Sequence, residues 1–288
     1  MRTKSKLFNN IAEDNIDSLY VQLCNLIYKN GKVVISRGME VKELIGVNLI
    51  LTNPKRRFLE NANRKLKLYY AIGEFIWYMR GSNSLEEIQY YAPSMSQFSD
   101  DGSTLQGAYG PKIVTQIDKL ITLLRYDKGT RRAVLPIYSA SELGKDSKDI
   151  PCTLTLEFLI RANKLHLIVN MRSNDIFLGL PYDIFSFTMI QEYIANKIGL
   201  NLGYYYHNIG SLHVYKKHFD RIKEISTMNI HKTSEFNNSN LIFKNLSDLL
   251  NIEKSIRNGS PYNMSKELLN NSDFNRIKIE LEKYKDSR

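Results

Sequence analysis

Two alternating segments in the middle of the chain most constrain how it can fold. Leu154, Leu156, Phe158 and Ile160 fall on every second residue, and past a turn at Ala162–Lys164 so do Leu165, Leu167, Val169 and Met171. A period of two places these side chains on one face of a pleated ribbon, so the segments read as a hairpin with one buried side. That face needs a covering layer. Pro181 supplies the start of one, opening a long apolar helix from Ile184 to about Ile198.

Elsewhere the pattern is mixed. Residues 11–30 read as a helix, and GKVVISRG and MEVKELIGVNLILTNP read as strands turning at Arg37 and Gly38. Residues 66–80 read as a buried helix and residues 84–108 as loop-rich. In residues 113–125, Ile113, Ile117, Leu120, Ile121 and Leu124 share one helical face. Beyond residue 225 the chain turns rich in Asn, Ser, Lys and Glu, with only short periodic pieces. No repeat or linker precedes that point. The expectation is an α+β fold, one domain over residues 1–288 with helices against a large sheet and a variable part at 225–288.

Hydrophobic residues make up 43% and charged residues 24% of the 288, the balance of a soluble globular protein. No run of eighteen apolar residues occurs, and MRTKSKLFNN lacks the apolar core of a signal peptide. Both observations lead to the expectation of a cytoplasmic protein with no membrane partner. The net charge of +10 fits a lysine-rich solvated surface or pockets for small anions. The lysines are scattered, with no dense basic run, which argues against nucleic acid as the main ligand.

The two cysteines, Cys24 and Cys152, make neither a disulfide framework nor a CxxC or His/Cys cluster, so no metal is expected. Cys24 lies in DSLYVQLCNLIY at helical spacing and reads as core. Cys152 follows Pro151 at the mouth of the hairpin, which alone favours a buried structural cysteine over a nucleophile. Its context favours the nucleophile. Residues 171–183, MRSNDIFLGLPYD, bring Arg172, Ser173, Asp175 and Asp183 around a Gly-Leu-Pro turn; Arg131-Arg132 lies upstream and His213-Val214-Tyr215 downstream. Guanidinium forks match phosphate oxygens, and positive charge beside a thiol is expected to lower its pKa.

The segments EFIWYMRG, YG, TRR, PC, RSND…GLPYD and HVY resemble, in order and spacing, the thymidylate synthase superfamily over about residues 31–220. The resemblance implies a fold that dimerises through its sheet, with active sites shared between subunits of a homodimer. It implies a pyrimidine nucleoside monophosphate substrate and 5,10-methylenetetrahydrofolate as cosubstrate. In it Cys152 attacks C6 of the pyrimidine. Arg37, Arg172 and Ser173 bind the 5′-phosphate, and Arg131 and Arg132 reach in from the partner subunit. His213 and Tyr215 hold the deoxyribose 3′-hydroxyl, Asp175 and Gly179 contact the folate, and Glu74 and Tyr109 organise proton transfers and ordered water.

Two departures narrow the expectation. Synthases carry Asn where this chain has Asp183. An amide suits the uracil edge, whereas a carboxyl can accept from cytosine N4 and share a proton with N3. The only tryptophan is Trp77, inside EFIWYM, so none lies in the 94–106 loop, and the ending YKDSR lacks the closing tail of synthases. A wetter methylene is expected to be captured by water rather than reduced. Both departures resemble the deoxycytidylate hydroxymethylase branch. Thr153 and Glu157 also depart, standing where synthases usually have His and Gln. Ser173 keeps the hydroxyl of the deoxyribonucleotide enzymes. The alternatives are a thymidylate synthase acting on dUMP, a CMP hydroxymethylase, and a non-catalytic nucleotide- or RNA-binding homologue.

Overall fold

The structure, a computed structural model, describes residues 9–228, 234–236 and 239–288. Residues 1–8, which carried most of the reading of the N-terminus, and 229–233, 237 and 238 within the variable part lie outside the described residues.

The chain begins with β1 (Asn10–Glu13) and α1 (Ile16–Asn30). The expected helix over 11–30 is thus shorter at its start. Asn15 accepts a hydrogen bond from Ser18 N at 2.9 Å and caps the helix at Ile16, while the residues before it pair in parallel with β3. The hairpin β2 (Lys32–Ser36) and β3 (Met39–Leu51) turns at Arg37 and Gly38, as the sequence indicates. α2 (Leu68–Met79) is the buried helix, and α3 (Leu85–Gln89) interrupts the loop-rich stretch. α4 (Tyr109–Tyr126) buries Ile113, Ile117, Leu120, Ile121 and Leu124 on one face. β4 (Val134–Pro136), β5 (Thr153–Arg161) and β6 (Lys164–Asp175) follow, then α5 (Leu180–Ile198) and β7 (Asn201–Tyr215).

Among the described residues the sheet has seven strands, in the order β1-β3-β7-β6-β5-β4 with β2 on β3. β6 runs parallel to β7 and antiparallel to β5, so the sheet is mixed. The alternating residues 165, 167, 169 and 171 of β6 are buried, and α5 lies against β6 and β7 while α1 lies against β3. This is the α+β architecture expected, with helices packed on a large sheet. The opposite face carries half-buried side chains, among them a row in which Asn208 Nδ2 donates to Asn170 Oδ1 and Asn170 Nδ2 to Thr155 Oγ1, each at 2.9 Å.

Residues past 225 are more ordered than their composition indicates. α6 (Phe219–Ser226), α7 (Ser239–Lys244), α8 (Leu246–Asn258), α9 (Lys266–Leu269) and α10 (Ser272–Asp286) place Leu249, Ile252, Ile256, Phe274, Ile277 and Leu281 in the same core as the sheet. No helix among the described residues is long and apolar enough to cross a membrane.

Ion pairs tie these helices down. Glu253 of α8 accepts from Arg80 Nη2 at 2.7 Å, from Tyr91 Oη at 2.7 Å and from Arg257 Nε at 2.9 Å. Arg57 is fully buried and pairs with Glu192 of α5, which also accepts from the Ser239 hydroxyl. Glu192→Ala removes the carboxylate bonded to that buried guanidinium and leaves it only the more weakly interacting Asp273. The expected cost is about 3–5 kcal/mol, read as a lower midpoint in chemical denaturation; an unchanged midpoint contradicts this role.

Candidate active site

The loop of Cys152 is built by three elements converging on residues 149–153. Arg172, on β6, donates Nε to Pro151 O at 2.9 Å and Nη2 to Ile150 O at 2.8 Å, and its amide donates to Cys152 O at 2.9 Å. Thr153 N donates to the hydroxyl of Tyr109, the first residue of α4, at 3.3 Å. Asp149 accepts from Gly107 N at 2.7 Å. Cys152 is thereby fixed just before β5, half-buried and facing charged groups. Cys24, by contrast, is wholly buried in α1 and its thiol is pushed far up by desolvation.

The electrostatics of Cys152 correct one expectation. Burial pushes its thiol above the ordinary cysteine value. Arg172 and Arg37 pull it down, but Asp183 and Asp149 add to desolvation and the net direction is upward. The positive charges are where the sequence put them. Removing water from a thiolate costs more than two partly shielded guanidinium groups return. The resting sulfur at neutral pH is a thiol.

Near it is the carboxyl of Asp183, and beside that lies Glu74; both have raised pKa values. Asp183 sits in the first turn of α5, its amide bonded to Gly179 O at 3.0 Å. A helix N-terminus favours a carboxylate, yet burial and the nearby Glu74 drive the pKa of Asp183 well up, with a hydrogen bond from Asn174 only partly opposing. Glu74, on α2, is raised to about 7 by burial, against hydrogen bonds from Tyr70 and Tyr78. Asp183 and Cys152 are both within electrostatic reach of Tyr109. The three groups therefore form one neighbourhood.

Behind Asp183 lies a polar chain the sequence reading did not single out. Asn174 Nδ2 lies 3.4 Å from His207 Nε2, and His207 Nδ1 lies 2.9 Å from the Tyr205 hydroxyl. His207 is fully buried and held neutral, its pKa pushed down to about 3 by desolvation. Gly179 packs against this group: a Cβ there would stand 3.2 Å from Asn174 Oδ1 and 3.3 Å from Asp183 Oδ2. Its visible role is to let the turn approach these two side chains.

The parallel pairing of β6 and β7 sets Ser173 beside Ser211 and Asp175 beside His213. Ser173 Oγ lies 3.4 Å from His213 Nδ1, and the His213 and Tyr215 rings stand perpendicular with centroids 5.4 Å apart. Arg37 reaches the same end of the sheet because β3 pairs with β7, Val41 opposite Tyr215. It is exposed and holds φ 49° beside Gly38 at φ 76°. A left-handed arginine costs about 1–2 kcal/mol relative to an ordinary conformation, the kind of local strain that clusters at functional sites. Arg131 and Arg132 are exposed on the segment leading into β4, and neither side chain makes a hydrogen bond or ion pair with this cluster among the described residues.

Asp175 has two jobs. Oδ1 accepts from Phe177 N at 2.7 Å and from Leu178 N, closing the turn, while Oδ2 is buried with no hydrogen-bond partner among the described residues. Burial raises its pKa as well. Beside it Leu178 is 45% exposed. Oδ2 lies 4.0 Å from His213 Nε2 and, lacking a hydrogen bond, can still accept one from a ring N–H donor. Arg64 lies over the Phe177 ring at 4.5 Å and supports the turn from below.

The site residues that the sequence missed are Tyr70, Tyr78, Asn174, His207 and Tyr205. Tyr70 and Tyr78 had a signal in their spacing of four on either side of Glu74. Asn174 stands inside the recognised run, but its partner His207 is brought to it only by strand pairing.

The family model of thymidylate synthase matches residues 18–256. Deoxyuridylate hydroxymethyltransferase of Bacillus phage SP01 is 31% identical over 215 residues, covering 68% of this chain and 56% of that protein. Its counterpart of the same name in Delftia phage PhiW-14 is 32% identical over 197 residues, 63% of this chain and 55% of that protein. Thymidylate synthase of Bacillus atrophaeus is 31% identical over 173 residues, 56% of this chain and 76% of that enzyme. The chain spans about half the length of the hydroxymethyltransferases it matches. With most of its length matched by the family model, and with the Cys152 loop, the carboxyls of Asp183 and Glu74 and a basic sheet end in one chain, the chain belongs to the thymidylate synthase family.

Proposed function

We propose that this protein is a folate-dependent C5 hydroxymethyltransferase that converts dCMP, 5,10-methylenetetrahydrofolate and water to 5-hydroxymethyl-dCMP and tetrahydrofolate. The observation that carries the reading is the buried carboxyl of Asp183 beside both Cys152 and Glu74, its pKa driven well up by desolvation and by Glu74. A protonated carboxyl can donate O–H to cytosine N3 while its carbonyl oxygen accepts from N4. An amide can hydrogen-bond a base edge but has no proton to release. Sulfur attack at C6 drives negative charge toward N3, where the Asp183 proton neutralises it as the transition state forms.

Cys152 loses its proton as sulfur bonds to C6. Arg37 and Arg172, with Ser173, take the 5′-phosphate, and His213 and Tyr215 hold the sugar hydroxyl. Asp175 holds the pterin through Oδ2, which makes no hydrogen bond among the described residues, beside Leu178 and Gly179. The folate supplies the one-carbon unit at the oxidation level of formaldehyde. Glu74 titrates near neutrality, so it can both give and take a proton at working pH. Tyr109 fixes the nucleophile's loop and lines the same pocket. The catalytic domain spans residues 1–288, and the protein works as a homodimer: the half-buried sheet face is the contact, and the exposed Arg131 and Arg132 complete the partner's phosphate site.

The hydroxymethyl product is supported by the names of the phage relatives. Those names also favour a second reading, dUMP as substrate. A neutral carboxyl can accept from uracil N3–H and donate to O4. Product masses after separate incubations with dCMP, dUMP and CMP distinguish the readings. The expected result is 5-hydroxymethyl-dCMP from dCMP alone. Thymidylate from dUMP, with release of dihydrofolate, contradicts it.

A further inference from the structure

Tyr70, Glu74 and Tyr78 stand four residues apart on α2, a spacing that stacks them on one helical face, one turn above another. The Tyr70 hydroxyl donates to Glu74 Oε1 at 3.1 Å. Tyr78 is buried and brings a second hydroxyl to the same carboxyl. Oε2 is buried and makes no direct hydrogen bond among the described residues. Each ring is in turn held by another helix. Tyr70 tilts against Tyr182 of α5 with centroids 4.6 Å apart, and Tyr78 against Tyr109 of α4 at 5.3 Å. Tyr182 directly precedes Asp183, and Tyr109 holds the loop of Cys152. The pair of tyrosines thus locks Glu74 to the two helices that carry the base-reading and nucleophile-supporting groups.

We propose that Tyr70 and Tyr78 are positioning residues that fix the Glu74 carboxylate to take a proton from the water that captures the one-carbon unit, and so secure the hydroxymethyl product. This rests on the hydroxymethyltransferase reading. In the step concerned, water oxygen bonds to the exocyclic methylene carbon on C5 and one water proton passes to Glu74 Oε2. The methylene π pair becomes the C5=C6 bond, the C6–S bond breaks, and its electron pair leaves on the Cys152 sulfur. Glu74 then returns its proton to that thiolate or to solvent. Without the two hydroxyls the carboxylate loses the bond fixing Oε1, and Oε2 is no longer aimed.

The same hydroxyls stabilise the charged form of Glu74. The other ionisable groups facing this region are Asp183 and Tyr182 on α5, Tyr109 on α4 and Cys152 before β5. Removing a hydroxyl removes a bond to the carboxylate, so the ionisation of Glu74 moves to higher pH.

Tyr70→Phe, Tyr78→Phe and the double variant test this in the full-length protein. Tritium release from C5-labelled dCMP is followed beside hydroxymethyl product across pH. The expected result is a fall in kcat for product of at least about 10-fold in the double variant. KM for dCMP stays nearly constant, and the limb assigned to Glu74 moves to higher pH. Tyr70→Phe removes one hydroxyl from a half-buried ring and keeps the test valid should Tyr78→Phe fold poorly. Variants that release tritium and form product with the wild-type rate and pH limb overturn the proposal while leaving the reaction standing. A wild-type protein that neither releases tritium nor forms product from any pyrimidine nucleotide overturns the reaction itself, and the proposal with it.

Discussion

Cys152→Ser loses turnover by at least about 10³-fold, while dCMP still binds. Oxygen replaces sulfur at nearly the same size, and the bonds that shape this loop run through the backbone carbonyls and amides of residues 150–153, so the loop keeps its course. On the proposed reading, Arg37, Arg172 and Asp183 remain to hold the nucleotide. What is lost is reactivity: a serine hydroxyl is a far poorer nucleophile than a thiol unless a base is set against it, and Asp183, the carboxyl within electrostatic reach of residue 152, has its own pKa pushed well up by burial. Tritium release from C5-labelled dCMP reads the chemistry, and calorimetric titration with dCMP reads the binding. Turnover that survives the substitution removes the covalent mechanism.

Asp183→Asn is expected to move the ratio of kcat/KM for dCMP over dUMP toward dUMP by about 10–100-fold. The amide can still meet a cytosine edge in one of its two orientations, but it has no proton to pass to N3 as charge builds there. A buried polar group left without a suited partner costs about 1–3 kcal/mol, and 1.4 kcal/mol is a factor of ten. The substitution also removes the neighbouring acid that raises the cost of ionising the site. Competition between the two nucleotides in one reaction reads the ratio directly. An unchanged preference for cytosine places base recognition on another residue.

Much of the framework was legible because it depends on local periodicity. The hairpin of β5 and β6, the buried face of α4 and the helix after Pro181 each declare themselves within a dozen residues. The turns at Arg37-Gly38 and Ala162-Asn163 also match, all four residues having positive φ. Cys24 lies in the core because its helix buries it. α8 and α10 were obscured for a compositional reason. Their apolar residues recur at helical spacing, but between them stand Asn, Ser, Lys and Glu, which dilute the signal until packing against α2 reveals it.

The site divides in the same way. Residues of the run 171–183 lie together at one end of the sheet, and Arg172 and Asp175 shape the backbone beside them. The chain from Asn174 to His207 and Tyr205 was hidden, because β6–β7 pairing joins residues 33 apart in sequence. The state of Cys152 was misjudged for another reason. Sequence reveals charges near a thiol, but how much water reaches it depends on the whole fold, and desolvation decides its pKa.

The nucleophile and the base it recognises can be tested together with 5-fluoro-dCMP and 5-fluoro-dUMP, whose C5–F bond cannot break as C5–H does once the one-carbon unit is attached. Each is incubated with methylenetetrahydrofolate and the product read by intact mass and peptide mapping. The expected result is an adduct of nucleotide and folate on the peptide containing Cys152, formed faster with the cytosine analogue. An unmodified Cys152 with both analogues, in protein that binds them, contradicts the account.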